Sequence, residues 1–95
     1  MNLRKAARGQ PCQVRLPWCD GGGETTVLAH YTLGGLCGTG LKPPDLLGAW
    51  CCFSCHEIID GRRKVDMPRE EIRLAHAEGV LRTLAKLQDV HLLPK

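Results

Sequence analysis

Four of the six cysteines in this 95-residue sequence are spaced to share one metal ion. Cys52 and Cys55 form a Cys-x-x-Cys pair, and two intervening residues let both sulfurs reach a metal at about 2.3 Å. That is half of a zinc knuckle. Cys12 and Cys19, in a loop with Pro17, Asp20 and three glycines, are the candidates for the other half. Four thiolates leave no open coordination position, so the Zn²⁺ expected there is structural rather than catalytic. Buried free thiols and disulfides are the alternative readings of these residues. Cys37 and Cys51 could each substitute as a ligand, but both read more simply as unligated thiols.

Histidines supply a second set of chemical groups. His56 directly follows the last thiol of the pair, and Asp60 lies four residues further on. On a helix that spacing places both side chains on one face, where imidazole and carboxylate can share a divalent cation. His30 falls at or near the end of a predicted strand. Basic residues gather in two places: Arg4, Lys5, Arg8 and Arg15 precede the first acidic residue, Asp20, and Arg62-Arg63-Lys64 form a run. Both groups suit contact with phosphates, with a solvated face as the plainer alternative.

The elements that must position these groups follow from residue pattern. Residues 1–11 read as a basic arm and residues 12–24 as a loop closed by two thiols. Thr25 to Tyr31 is rich in β-branched and aromatic residues and reads as a strand. From Thr32 to Asp45, glycines at 34, 35, 38 and 40 and the pair Pro43-Pro44 require a long loop, and a phosphate-binding P-loop is excluded because no Gly-Lys-Ser/Thr ending follows. Leu46 to Cys51 reads as a second strand and residues 52–60 as a short helix that Gly61 terminates. Asp66 is the N-cap candidate for an amphipathic helix over 67–88, with Leu74, Leu81, Leu84 and Leu87 covering the core. His76 and His91 read as surface residues, and residues 91–95 as a frayed tail.

Composition bounds the answer. The length accommodates one domain, residues 1–95, and the aromatic residues are only Trp18, Tyr31, Trp50 and Phe53, so a metal is the expected source of extra stability. No stretch approaches the roughly 20 apolar residues of a membrane span, and the N-terminus lacks a secretory signal, so a cytoplasmic protein is expected. Thirteen Lys and Arg against ten Asp and Glu give a formal charge of +3. Four thiolates around one Zn²⁺ add a net charge of −2 and lower it to about +1. Any affinity for DNA must then come from where the charge sits.

The order of these residues resembles a known family. Two cysteines, then Leu28-Ala29-His30 ending a strand, a glycine-rich loop, and Cys52-x-x-Cys55-His56 opening a helix are similar to the HNH, or His-Me finger, endonucleases with an embedded zinc knuckle. More closely, RKAARGQPCQVR, VLAHYTLGGLCGTGLKPPDLL and CFSCHEIID resemble stretches of the small prophage-encoded YbcO-type nucleases. The resemblance implies an α+β fold with a ββα-metal core over residues 12–60. It implies His30 as the general base that activates water, and His56, with Asp60, as ligand of a catalytic Mg²⁺ or other divalent cation. The products would carry a 5′-phosphate and a 3′-hydroxyl. Ala29 stands where the family commonly has Asp or His, and the middle Asn is absent. Asp45 is the nearest polar group to brace the loop, and Asp45 or Glu57 is available to approach the metal. The expected activity is metal-dependent hydrolysis of DNA phosphodiester bonds, possible as a monomer or a homodimer. A non-catalytic zinc module that binds DNA or protein is the rival class, and a thiol redox protein is a third.

Overall fold

The computed structural model describes residues 2–35 and 43–89. Cys37, the glycines at 38 and 40, His91 and the expected tail lie outside those residues. In chain order the elements are helix α1 (Leu3–Ala7), strand β1 (Val27–His30), a single 3₁₀ turn (Asp45–Leu47), strand β2 (Gly48–Cys51), helix α2 (Phe53–Ile59) and helix α3 (Arg69–Asp89). The fold is α+β: helices around a two-stranded antiparallel sheet. Its register pairs Val27 with Cys51, Leu28 with Trp50, Ala29 with Ala49 and His30 with Gly48.

Alternation along the strands divides the core in two. Leu28 and Trp50 face one way and pack with Leu3 and Ala7 of α1 and Leu87 of α3. Ala29, Ala49 and Cys51 face the other way, into a cluster with Cys12, Val14, Leu16, Cys55, Ile58, Ile72 and Val80. Gly48 is what allows β2 to start where it does. A Cβ on that residue would sit 2.4 Å from Leu28 Cγ, so only glycine fits opposite His30.

Several expectations are corrected here. The N-terminal segment is not an arm: the Asn2 side chain accepts a bond from Lys5 N and caps α1, whose Leu3 and Ala7 are buried. Strand β1 begins at Val27 rather than Thr25, because the Thr26 hydroxyl is used to close the preceding turn, accepting from Gly23 N and donating to Gln10 O. Strand β2 begins at Gly48, since Asp45 to Leu47 form the 3₁₀ turn. Asp66 does not cap α3. The helix starts two residues later than expected, with the Pro68 carbonyl accepting from Glu71 N and Ile72 N. Cys52 caps α2 through its sulfur, which accepts from Cys55 N.

The face that α3 buries also differs from its leucine pattern. Leu74 and Leu81 are exposed, Leu84 is half-buried and only Leu87 of the four is buried. The inward stripe is Ile72, His76, Gly79, Val80, Thr83 and Leu87. His76, expected at the surface, is buried, with its Nε2 2.8 Å from Ala29 O. Thr83 Oγ1 accepts from Trp50 N at 2.9 Å and donates to Gly79 O. Arg82 donates to Gln13 O at 2.7 Å, and Arg69 donates to the Ile58 and Ile59 carbonyls at the end of α2. Backbone groups that would otherwise be unsatisfied thus find partners on α3, and these bonds add to the apolar contacts that hold the helix.

Two outcomes test this packing. A Cβ on Gly79 would lie 2.9 Å from Val14 Cγ2 and 3.1 Å from Val14 Cα. Gly79→Ala should therefore lower the unfolding free energy by about 1–2 kcal/mol, read as a lower urea midpoint at unchanged slope, although alanine is the better helix former; an unchanged or raised midpoint would show that the loop yields. Burial, foremost, pulls the His76 pKa below its ordinary value, against the opposing bond to Ala29 O. The unfolded chain then takes up this proton first as pH drops below about 6.5. The stabilising contribution is present above that pH and declines below it. His76→Gln, which keeps a donor for Ala29 O, should flatten the loss of stability between pH 7.5 and 5.5; an equally steep loss would assign it to other groups.

Candidate functional site

The sulfur cluster is built by two loops meeting at the start of α2. Pro11 and Gly22 pair across the base of the first loop, and Gly22 sits at φ +87° with Cys12 N and Gln10 O within 2.8 Å of where a Cβ would be. The chain must cross itself closely there, and glycine is the residue that permits both the torsion and the approach. Asp20 Oδ1 accepts from Gly22 N and fixes the turn after Cys19. On the other side Ser54 Oγ donates to Trp18 O, which ties the first turn of α2 to the same loop.

The sulfurs of Cys12, Cys19, Cys52 and Cys55 lie within 4.8 Å of one another. Cys19 and Cys52 are 3.7 Å apart, far beyond a disulfide bond and close to the roughly 3.8 Å edge of a tetrahedron with 2.3 Å metal–sulfur bonds. Electrostatics also fit a cation. Hydrogen bonds from Cys51 and Cys55 lower the pKa of Cys12, whereas Cys51 and Cys55 are raised, first by sharing that bond with Cys12. Burial, foremost, pushes Cys19 up to about 11. Packed this closely, four thiolates would repel one another and would require a divalent cation to compensate them. The four residues can therefore hold a metal ion such as zinc. Cys51 is fully buried beside the cluster but is not one of the four.

The histidines fall into two pairs. His30 Nε2 is 2.7 Å from Asp45 Oδ1, and Arg4 Nε lies 3.4 Å from the same oxygen. The bond from His30, followed by the Arg4 charge, holds the Asp45 carboxyl below the usual carboxylate range. Because Gly48 is the cross-strand partner of His30, no side chain lies opposite the imidazole. The second pair is His56 and Asp60, with Nε2 and Oδ2 3.4 Å apart and Arg62 donating to that same Oδ2. No hydrogen bond or ion pair joins the two pairs among the described residues, and the four cysteines are the only group there of three or more close ligand atoms. Glu57 has no side-chain bond that brings it to either pair.

Sequence patterning missed His76, which lies between these parts. Its imidazole bonds the carbonyl of Ala29, stacks edge-on against Tyr31 at 5.0 Å, and is close enough to feel the charges of His56 and Asp60. Arg73 covers the Tyr31 ring at 4.7 Å and donates to Thr32 O. The end of β1 is thus clamped from α3. A histidine on the polar side of the leucine pattern offered no signal for this contact.

Of the basic residues, Arg4, Lys5 and Arg8 lie on or beside α1, against β1. Arg15 adopts a positive φ of 59° and donates to Gln13 Oε1. Arg62 is tied to Asp60, and Arg63 to Ser54 Oγ. No helix among the described residues is long and apolar enough to cross a membrane.

With this geometry in place, comparison with known proteins is decisive at the family level. The profile of the family described as "Putative nuclease YbcO" matches residues 1–91. The chain belongs to that family. It is 61% identical over 62 residues to "Putative nuclease YbcO" of Escherichia coli (strain K12), and equally to "Putative nuclease ybcO" of Enterobacteria phage 82. In each case the match covers 64% of this chain and 65% of the relative, so the chain spans just under two thirds of those curated proteins. The solved structure of a "putative bacteriophage protein" from E. coli K-12 MG1655 superimposes with a TM-score of 0.77 at 38% identity, covering 95% of this chain and all of that one.

The cluster has a direct test. Purified protein should contain one equivalent of zinc by elemental analysis. Cys55→Ala should lose that metal and stability together, by about 2 kcal/mol or more. A zinc-free protein with an unchanged melting temperature would leave the four thiols as ordinary core residues.

Proposed function

We propose that the chain is a metal-dependent endonuclease of the HNH, or His-Me finger, type that hydrolyses DNA phosphodiester bonds, with a structural zinc at Cys12, Cys19, Cys52 and Cys55. The observation that carries this reading is the His30–Asp45 pair at 2.7 Å. An ionised carboxylate only accepts, so Nε2 carries the ring proton toward Asp45. Nδ1 then keeps the lone pair that takes a proton from water as the water attacks phosphorus. Asp45 fixes tautomer and orientation, the bracing duty for which the sequence has no Asn. The family membership supports the nuclease class, and the order β1, β2, α2 supports the HNH type.

His56 and Asp60 are the residues that would hold the catalytic cation. Donor atoms 3.4 Å apart suit one divalent ion about 2.1–2.2 Å from each. When bound, such an ion supplies positive charge beside the phosphoryl oxygens and the leaving 3′ oxygen. Ala29, packed in the core cluster that includes Cys55 and Ile58, would offer that ion no ligand. Arg62 shares the Asp60 oxygen and would hold that carboxylate ionised and oriented.

Two observations favour a non-catalytic DNA- or protein-binding zinc module instead: Ala29 in the ligand position, and the lack, among the described residues, of any bond joining the two histidine pairs. Cleavage of plasmid and branched DNA in Mg²⁺, Mn²⁺ or Ni²⁺ decides between them. His30→Ala should lower the rate by about 10²–10⁴-fold. Asp45→Asn should lower kcat more than it changes KM, because it acts on the base and not on substrate. Activity that survives His30→Ala removes that residue as the base, and a wild-type protein that cuts no substrate supports the binding module.

A further inference from the structure

An open groove of about 890 Å³ runs between α1 and β1. Arg4, Lys5 and Arg8 line it, and His30 lines it too. Glu24 is the one carboxylate in the lining, so cations outnumber it three to one. The other basic residues are placed differently: Arg15, Arg62 and Arg63 are engaged by neighbouring side chains, and Lys64 lines a separate hollow of about 200 Å³. No hydrogen bond or ion pair engages the Lys5 or Arg8 side chain among the described residues. Arg4 is also the link to the proposed base, through the Asp45 oxygen that it shares with His30.

What the groove lacks matters as much. No Phe, Tyr or Trp lines it, so the only ring a base could meet there is the His30 imidazole at its end. Its amide, Asn2, already accepts from Lys5 N, and Thr26 Oγ1 is committed to Gly23 N and Gln10 O. That leaves Thr25 as the sole uncommitted hydroxyl. Phosphates meet three cations there, and apart from those cations the side-chain groups free to meet a base edge are the Asn2 N–H₂ and the Thr25 hydroxyl.

We propose that this groove is a track for the sugar–phosphate backbone of a nucleic-acid strand, held without sequence preference and leading a phosphate to His30. Only that last step rests on the nuclease reading; the binding does not. Three phosphate contacts predict that log K falls with log[salt] with a slope of about −2.7 for duplex DNA and about −2.1 for a single strand.

Fluorescence anisotropy of labelled single-stranded and duplex oligonucleotides, with zinc-loaded full-length protein and Ca²⁺ in place of Mg²⁺, tests the proposal. Lys5→Ala and Arg8→Ala should each reduce the magnitude of the slope by about 1, and should weaken binding to scrambled sequences equally. Lys86→Ala, on the exposed last turn of α3, should leave the slope unchanged. Slopes unmoved by Lys5→Ala and Arg8→Ala, or affinities differing more than tenfold among scrambled sequences, overturn the track. If those slopes fall as expected and no DNA is ever cut, the groove stands and the nuclease reading fails. If His30-dependent cleavage occurs with slopes unmoved, the reverse holds.

Discussion

Sulfur atoms from two stretches far apart in the chain converge at the mouth of α2, and the charge they can carry governs the rest of the molecule. The neighbouring thiols lower the Cys12 pKa and raise that of Cys55, and burial raises that of Cys19, so four thiolates together need a divalent cation. That cation would replace the constraint that a small core does not provide. Trp50 is the one aromatic side chain that is fully buried, and each strand has only four residues. A two-stranded sheet of that size is not stable alone. Closing Cys12 and Cys19 onto Cys52 and Cys55 fixes the start of α2, and with it the direction in which His56 and Asp60 project.

A second constraint comes from α3, which is held by polar bonds from buried or half-buried side chains. His76 to Ala29 O, Thr83 to Trp50 N and Arg82 to Gln13 O reach one strand, the other strand and the metal loop. A single helix therefore indexes all three parts against each other. The geometry of the His30 end of β1 depends on this, because Ala29 and Tyr31, its two neighbours, are both contacted from α3. Placement of the His30–Asp45 pair is a property of the scaffold on both sides of the sheet.

Features set by local spacing were legible in the sequence. Cys52-x-x-Cys55, the i,i+4 relation of His56 and Asp60, the turn at Gly61 and the order of strands and helix all follow from neighbours along the chain. Contacts set by tertiary structure were less so. Asp45 reads in the sequence as a brace for the loop or as a group approaching the metal, and its bond to His30 depends on the tertiary pairing of β1 with β2. Helix α1 is too short to form on its own merits and exists because Leu3 and Ala7 find a hydrophobic surface. In α3 Leu84 and Leu87 pack inward as expected but Leu74 and Leu81 do not, since the buried stripe also uses His, Gly and Thr, whose hydrogen bonds and small size suit it to close contact. Asp66 has the chemistry of a cap, but Pro68, with its fixed torsion, sets where the helix begins.

The polar grip of α3 also bears on how the chain reaches this state. Each group that the helix holds lies earlier in the sequence, by 33 positions for Trp50, 47 for Ala29 and 69 for Gln13. While a ribosome is still extending the chain through Cys55, the strands and the metal loop are present without the element that satisfies their backbone. Full pairing of those backbone groups waits for α3 to dock, a closure that spans most of the sequence. Such long-range closure makes folding slower than the helical content alone would suggest.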